Sequence, residues 1–469
     1  MESHGGPATP PGIGRADASA LYVDLYELTM AQAYLAAGVA EHQATFSLFA
    51  RRLPLRWGYL VAAGLGELCA LLAELRFTDD ELAFLESTKR FDAALLARLG
   101  AWRFTGRVRA LPEGTPFGAH TPVVEIDAPL IEAQLIETLV LNIVHVQSLM
   151  ASKASRVVAA ASGRDVVDFS MRRDHGTSAG MAMARAGYIA GLAATSNVLG
   201  GARYGIPIAG TMAHSMVQAF PDEAVAFQSL AHAYPADAIL LVDTYDTAAG
   251  VRRAIEVGAE LRRAGHQLRG IRLDSGDLAG LAREARLLLD EAGEDDAIIF
   301  ASGGLDEDRI AALLAEGAPI DAFGVGSYMG TVRDAPALDM AYKLVQIDGR
   351  PTLKLSRDKA TLPGPKQVWR RRAGDLVIED VVGQADELGP PDGSPLLGVA
   401  MKDGRPGGFG CEPLEHARGR RARALSELPP GQLGLDADPL PASISPRLDA
   451  LCELVAAELR RRHGLDAPR

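Results

Sequence analysis

Gly205-Ile-Pro-Ile-Ala-Gly-Thr-Met-Ala-His-Ser215 changes character twice within a few residues. Residues 206–209 are apolar, as a short buried strand is. Gly210 offers a turn. Thr211 is an N-cap residue type, whose side-chain oxygen accepts a free amide hydrogen of a first helical turn. The stretch therefore reads as strand, turn, helix, with His214 in the opening turn just past the C-terminal end of a strand. In α/β proteins ligands bind at that rim. Taken alone, the histidine is also readable as a satisfied helix-start residue, so its neighbours decide.

Outward from this stretch the same unit repeats. Apolar runs at 165–169, 206–209, 238–242, 268–273, 297–301 and 320–325 read as strands, and 179–193, 247–264, 278–292 and 307–316 as helices between them. Strand starts recur at roughly thirty residues, the length of one β-plus-α unit. Short apolar strands alternating with helices predict an α/β fold with a parallel sheet covered by helices. A closed or nearly closed irregular barrel is the first choice and an open doubly wound sheet the second.

The flanks differ. Residues 21–128 mix helices with strands at 44–50, 103–110 and 122–126, and Thr78-Asp-Asp-Glu81 forms a capping box. Asp127 and Pro129 open a long apolar helix running to 150 or 161. After Gly330 the βα rhythm stops. Antiparallel strands are expected at 341–347, 352–355, 367–370 and 376–380, and a closing amphipathic helix carries Leu448, Leu451, Leu454, Val455 and Leu459. The expected organisation is a disordered leader over 1–20, an N-terminal α+β module over 21–128, the catalytic α/β domain over 129–340, and a C-terminal part over 341–469 packing with the N-terminal module.

Composition narrows the class. The 469 residues are 48% hydrophobic and carry a net charge of -12, with no Lys/Arg cluster large enough to reverse that balance, which argues against nucleic acid. Cys69, Cys411 and Cys452 lie far apart without CxxC spacing, so neither a disulfide framework nor a zinc site is expected and a reducing cytoplasm is. No apolar run reaches the ~18 residues of a membrane span.

The strand ends carry the chemistry. Phe169-Ser-Met-Arg-Arg-Asp-His-Gly176, Asp243-Thr-Tyr-Asp-Thr247, Arg272-Leu-Asp-Ser-Gly-Asp-Leu278, Ala301-Ser-Gly-Gly-Leu305 and Phe323-Gly-Val-Gly-Ser327 would converge on one face. Ser302, Gly303 and Gly304, with Gly324, Gly326 and Ser327, form two bare backbone loops on consecutive late strands. Glycines let main-chain N–H groups approach an anion, and a following helix adds its positive end. The other reading is that they merely make tight turns. Asp274 suits ribose hydroxyls or a divalent metal; Asp277 suits a helix cap. Arg272 lies within a strand and needs an anionic partner, its fork matching a carboxylate. Structural pairing with Asp274 or Asp243 is the alternative. Arg172 and Arg173 offer further anion contacts. Lys153 and Arg156 share a helix face and read either as anion contacts or as solvated. His145 reads as core and His175 as surface. Together these describe a site for a phosphorylated sugar, a small carboxylate and a metal.

Asp24-Leu-Tyr-Glu-Leu-Thr-Met30, Phe169-Ser-Met-Arg-Arg173, Gly210-Thr-Met-Ala-His-Ser215, Gly270-Ile-Arg-Leu-Asp-Ser-Gly-Asp277, Ser302-Gly-Gly-Leu305, Gly324-Val-Gly-Ser327 and Tyr342-Lys-Leu-Val345 resemble, in order, motifs of the nicotinate phosphoribosyltransferase family. The resemblance spans roughly residues 21–372. It implies formation of nicotinate mononucleotide and diphosphate from nicotinate and 5-phosphoribosyl 1-diphosphate, in NAD biosynthesis. ATP hydrolysis is coupled to the step, formally a ligase reaction. It implies a type II phosphoribosyltransferase barrel, Mg2+ with ligands left open, and a homodimer with shared active sites. By the same resemblance, ATP phosphorylates His214 and Asp243 fixes its tautomer. Thr211 and Arg272 bind nicotinate, and Tyr26 (from the partner subunit) and Phe169 sandwich its ring. Asp274 contacts the phosphoribosyl group, the two glycine loops take the 5′-phosphate, and Arg172 and Lys153 are weaker diphosphate contacts. Ser196 stands where relatives using nicotinamide place an aspartate, so the acid is favoured over the amide. A sibling transferase acting on nicotinamide or quinolinate, or a non-catalytic nucleotide-binding homologue, are the competing readings.

Overall fold

In a computed structural model, residues 19–355 and 361–465 are described. The expected leader lies outside them except for its last two positions. The chain divides into two compact units, residues 1–152 with 337–469, and residues 153–336. The first boundary falls inside the helix Glu137–Ala160 rather than at 129. A sequence reading could not see it, because the helix crosses it without a break in periodicity.

The first unit is built on a seven-stranded sheet that takes strands from both ends of the chain. Gln43–Ala50 lies between Pro122–Pro129 and Met340–Ile347, antiparallel to both. On the far side, Arg107–Ala110 pairs with Pro122–Pro129 and with Gly398–Lys402. Phe46 stacks on Tyr342 with ring centroids 4.8 Å apart, and the Tyr342 hydroxyl donates to Ala133 O. Burial also takes in charge: Glu125 holds Arg109 at 2.6 Å and Lys366 at 3.0 Å. Desolvation pushes the Lys366 ammonium below its usual range, with Glu125 opposing it. The capping box at Thr78–Glu81 forms as its sequence predicts. The long helix, however, starts later than expected. Asp127 and Pro129 still belong to the strand, a short helix Leu130–Leu135 follows, and the long helix begins at Glu137.

The second unit is a six-stranded parallel sheet with helices between its strands. The strands are Asp165–Asp168, Ala194–Thr195, Ile239–Leu241, Gly270–Leu273, Ile298–Ala301 and Ala322–Val325. Each of the last four lies beside its neighbour in sequence, and the last pairs with the first, Val325 opposite Asp168. Ala194–Thr195 extends the other side of Asp165–Asp168, and a single parallel bridge joins Thr195 to Ile208. Residues 206–209 are thus an edge segment held by one bridge, not the full strand expected. Gly270–Leu273 and Ala322–Val325 are buried throughout; the second reads as an unbroken run of apolar and small residues, and the first as such a run interrupted by Arg272. The helices Thr177–Ile189, Thr247–Arg263, Leu278–Glu291 and Glu307–Ala315 lie within two residues of expectation at their N-termini. The strand Ala194–Thr195 and the helices Val198–Tyr204 and Glu223–Ala233 were not anticipated. A two-residue strand leaves no period to read.

Candidate active site

Parallel pairing sends the C-terminal ends of all these strands to one rim, and side chains stitch the rim from strand to strand. Ser302 Oγ donates to Asp274 Oδ1 at 2.5 Å, and Ser302 N to Leu273 O at 2.8 Å. Asp243 Oδ2 accepts from Asp274 N at 2.9 Å and from Ser275 Oγ at 2.8 Å. Asp168 Oδ2 accepts from Thr195 Oγ1 at 2.7 Å. Gly303 permits the closest approach. At φ +85° it sits where a Cβ would lie 1.7 Å from Asp274 O.

Arg272 occupies this rim as its in-strand position predicts. It is buried, and one terminal nitrogen donates to Thr211 Oγ1 while Nε has no partner. Desolvation pushes the guanidinium below its usual range, and Asp274 and Asp243 oppose that. A buried guanidinium with a donor unspent is matched to a planar anion, because leaving it unpaired costs ~1–3 kcal/mol. Thr211 is therefore occupied by Arg272 and is not a cap. The helix begins three residues later, at His214, with Ala213 in the N-cap position and no side-chain cap.

His214 is at the helix start as expected, with 39% of its side chain exposed. Its orienting partner differs from expectation. Nδ1 meets Thr244 Oγ1 at 3.1 Å, while Nε2 lies 3.9 Å from Asp274 Oδ2. Asp243 is spent on the Asp274 turn, and its Oδ1 is buried with no partner. A carboxylate that already holds two donors of the neighbouring turn is anchored away from the ring, and the adjacent hydroxyl takes its place.

Phe169 stacks on Phe300, ring centroids 5.7 Å apart, in a cluster with Val167, Ala194 and Ala322. Phe300 was missed from sequence. It lies directly opposite Arg272 in the strand register and so shares its face, a signal the register alone carries. Gly324 makes room for this pair, since a Cβ there would stand 2.5 Å from the Phe169 ring. Gly326 and Ser327 lead into a one-turn helix, Ser327–Gly330. The other loop, Ser302–Gly304, does not run straight into a helix. Asp306 intervenes and already caps Glu307–Ala315 by accepting from Arg309 N. That helix end also opens with acidic Glu307 and Asp308, so the anion-binding contribution of this loop rests on its backbone alone.

Ser196 follows the short strand Ala194–Thr195, its N–H on Asp168 O at 2.8 Å. Arg172 is exposed on the turn after the first strand, near enough to depress Arg272. Lys153 is neither solvated nor offered to a ligand. It is buried, with Nζ 2.6 Å from Glu307 and 2.5 Å from Asp334. Two carboxylates consume an ammonium that the diphosphate contact would need, so Lys153 is corrected to a structural ion pair. Arg156 joins it on Glu307 at 3.1 Å. His145 is a core acceptor, taking Leu338 N at 2.9 Å on Nε2, and burial holds its pKa down. Asp277 stands at the N-cap of Leu278–Glu291 without a side-chain cap bond. Tyr26, in the first unit on the helix Leu25–Ala36, is 46% exposed. Among the described residues no three His, Cys, Asp or Glu side chains gather as a metal cage, and no helix is long and apolar enough to cross a membrane.

Comparison with known proteins adds names to this geometry. Residues 21–145 match a family model described as the nicotinate phosphoribosyltransferase N-terminal domain, and residues 165–368 one described as the nicotinate phosphoribosyltransferase family. The chain is 49% identical over 416 residues to nicotinate phosphoribosyltransferase pncB2 of Mycobacterium tuberculosis, covering 89% of both chains. To nicotinate phosphoribosyltransferase of Bacillus subtilis it is 44% identical, covering 76% of this chain and 73% of that one. The crystal structure of human nicotinic acid phosphoribosyltransferase superposes with a TM-score of 0.81 at 29% identity, covering 92% of this chain and 99% of that one.

Proposed function

The chain belongs to the nicotinate phosphoribosyltransferase family and its activity is nicotinate phosphoribosyl transfer; on that premise we propose that ATP hydrolysis is coupled to the transfer through a phosphohistidine at His214. The observation that carries the site reading is Arg272: a buried guanidinium on the rim, bonded to Thr211, with Nε unspent. The nicotinate carboxylate completes it, and the pyridine ring lies on Phe169. An uncharged amide would not. Ser196 leaves the neighbouring position without the negative charge that would repel the acid.

The reaction moves the ribosyl C1 from diphosphate to the pyridine nitrogen. Arg272 and Thr211 orient that nitrogen, and the glycine loops with Ser327 hold the 5′-phosphate. Ser302, whose N–H and hydroxyl are taken by Leu273 O and Asp274, holds its loop in place rather than the phosphate. Asp274 faces the ribose, and Arg172 meets the departing diphosphate. His214, positioned by Thr244, receives and loses a phosphoryl group so that ATP hydrolysis drives a transfer that is otherwise reversible. Magnesium suits Asp243 and Asp274, since it is held by one or two carboxylates together with substrate phosphates, and the unpartnered Asp243 Oδ1 is a donor of the right kind. When bound it supplies charge neutralisation to the diphosphate.

We read the parallel sheet as the wall of an irregular barrel of the type II phosphoribosyltransferase kind; the pairing of its last strand with its first supports this. We also propose a homodimer in which Tyr26 serves the partner's site. Exposed Val198, Leu199 and Ile208 in the second unit, and separately exposed Tyr26 in the first, supply apolar surface that a partner subunit would cover. The free cysteines suit a reducing cytoplasm. The test offers nicotinate and nicotinamide side by side, with and without ATP, to the wild type and to His214→Ala, and measures both mononucleotides and ATP hydrolysis. His214→Ala should lose ATP hydrolysis and the ATP stimulation while slow transfer survives. ATP hydrolysis at the wild-type rate in that variant sinks the role given to His214.

A further inference from the structure

The turn that follows the first parallel strand contains a hydroxyl shared by two carboxylates. Ser170 Oγ lies 2.6 Å from Asp168 Oδ1 and 3.0 Å from Asp174 Oδ2. A serine hydroxyl has one hydrogen to give. Asp168 has the stronger claim on it: burial raises its pKa, but it also accepts from Ser170 N at 2.9 Å and Thr195 Oγ1 at 2.7 Å, and these donors, with the Ser170 hydroxyl, oppose that rise. The second contact is then a hydrogen bond only if Asp174 brings its own proton. Two ionised carboxylates facing one hydroxyl leave an acceptor against an acceptor, which buried sites avoid.

This turn is keyed to the glycine-rich segment on the last strand. A Cβ on Gly330 would stand 2.0 Å from Asp174 Oδ1 and 2.5 Å from Ser170 Cβ, and one on Gly326 would meet Phe169 O at 3.1 Å. Phe169 N donates to Val325 O at 2.8 Å, and Ser170 O closes the turn by accepting from Arg173 N and Asp174 N. Asp168 from the strand end and His175 from the turn itself are the ionisable groups facing Asp174, with opposite effects. The other elements packed on it present Gly180 and Gly330.

We propose that Asp174 is a positioning residue that takes up a proton as the anionic substrates load: protonated, it donates to Ser170, Ser170 donates to Asp168, and this chain clamps the Phe169–Arg173 turn onto the Gly324–Gly330 segment. The clamp holds the ring platform and Arg172 against the loop assigned to the 5′-phosphate, and so rests on the reading given above. Loading negative charge beside Asp174 favours its neutral form, and by linkage the neutral form favours loading. Burial and Asp168 already push its carboxyl up to about 6 in the unliganded protein, so the proton is within reach of neutral pH. Asp174 has a raised pKa, so its contribution is complete at low pH and is lost as pH rises.

The test compares wild type, Asp174→Asn and Asp174→Ala from pH 5.5 to 8.5. In the wild type the KM for nicotinate should climb as pH rises above the unliganded value, by at most about tenfold per pH unit, the slope of one proton. Asp174→Asn keeps a donor at every pH and should give a flat profile near the low-pH wild-type KM. Asp174→Ala should give a flat, raised KM. The effect falls on KM more than on kcat. A wild-type slope retained in Asp174→Asn, or a wild-type KM in Asp174→Ala, overturns the proposal. Infrared titration of the folded proteins reads the proton without turnover. Because burial also raises Glu27, to about 7, the readout is the difference between the two proteins. At pH 5.5 the wild type should carry a protonated-carboxyl component that Asp174→Asn lacks and that disappears as pH rises through about 6, and the absence of that difference also overturns the proposal. If the wild type makes no nicotinate mononucleotide, the substrate reading fails while the infrared titration still decides the proton.

Discussion

Arg272 and Ser196 discriminate between acid and amide by charge, and each is testable alone. Arg272→Gln keeps a donor near Thr211 but loses the charge-assisted pair, worth ~1.5–3 kcal/mol. Its KM for nicotinate should therefore rise about ten- to a hundredfold, with a smaller change for nicotinamide. An unchanged ratio of the two kcat/KM values argues against the carboxylate clamp. Ser196→Asp places a like charge beside the substrate carboxylate, so steady-state kinetics should show nicotinate weakened and the preference shifted toward nicotinamide. Much of this residue chemistry was legible, because an arginine inside an apolar strand and a histidine past a strand end are anomalies that one sequence displays. What could not be read was who holds whom. Thr211 looked like a cap and is Arg272's partner; Asp243 looked like the partner of His214, and Thr244 has that place. Both errors have one cause: neighbouring polar residues at a strand end are distinguished only by the directions of their side chains. Lys153 failed differently, since burial of an ammonium with two carboxylates from distant positions has no local signature.

At the level of elements, the glycine loops separate into two kinds. Gly303 is required by backbone, because its positive φ and the carbonyl of Asp274 leave no space for a Cβ. Gly303→Ala should cost several kcal/mol (positive-φ strain alone is ~1–3 kcal/mol) and lower the melting temperature in calorimetry. A variant as stable as the wild type means the turn adjusts freely. Gly324 is required by side chains, those of Phe169 and Phe300, and its replacement acts on the ring platform first. The long elements of the parallel sheet were readable because buried strands are apolar runs and their helices have a different period. The edge segment at 206–209 and the two-residue strand Ala194–Thr195 were not, since one bridge or two pairs impose no pattern on sequence. The opening stretch thus indicated the right class of fold through a segment that is itself the least regular part of the sheet.

On the scale of the whole molecule, the chain leaves the first unit at 152, builds the second, and returns at 337 to complete the sheet it began. Pairing of Gln43–Ala50 with Met340–Ile347 makes that first sheet depend on both ends of the sequence. Its buried charges tie the same distant segments: Glu125 holds Arg109 and, from far along the chain, Lys366. Glu125→Ala would leave buried Lys366 with carbonyl partners but no carboxylate, and Arg109 with Asp127 as its remaining carboxylate at 3.5 Å, a loss of up to ~3–5 kcal/mol. Thermal unfolding should show a clear drop, while an unchanged midpoint means these groups are hydrated. Long-range pairing of this kind is invisible to local periodicity and could be inferred only from both ends being α+β. Within the second unit the ion pair between Lys153 and Asp334, 2.5 Å apart, joins the residue that opens the unit to one that nearly closes it. Entry and exit are thereby pinned side by side, and the last strand already lies against the first. The unit is a ring of chain with no privileged beginning: a cassette that a host fold can carry as one insertion, and whose ends circular permutation can move to another exposed loop without changing which strands meet.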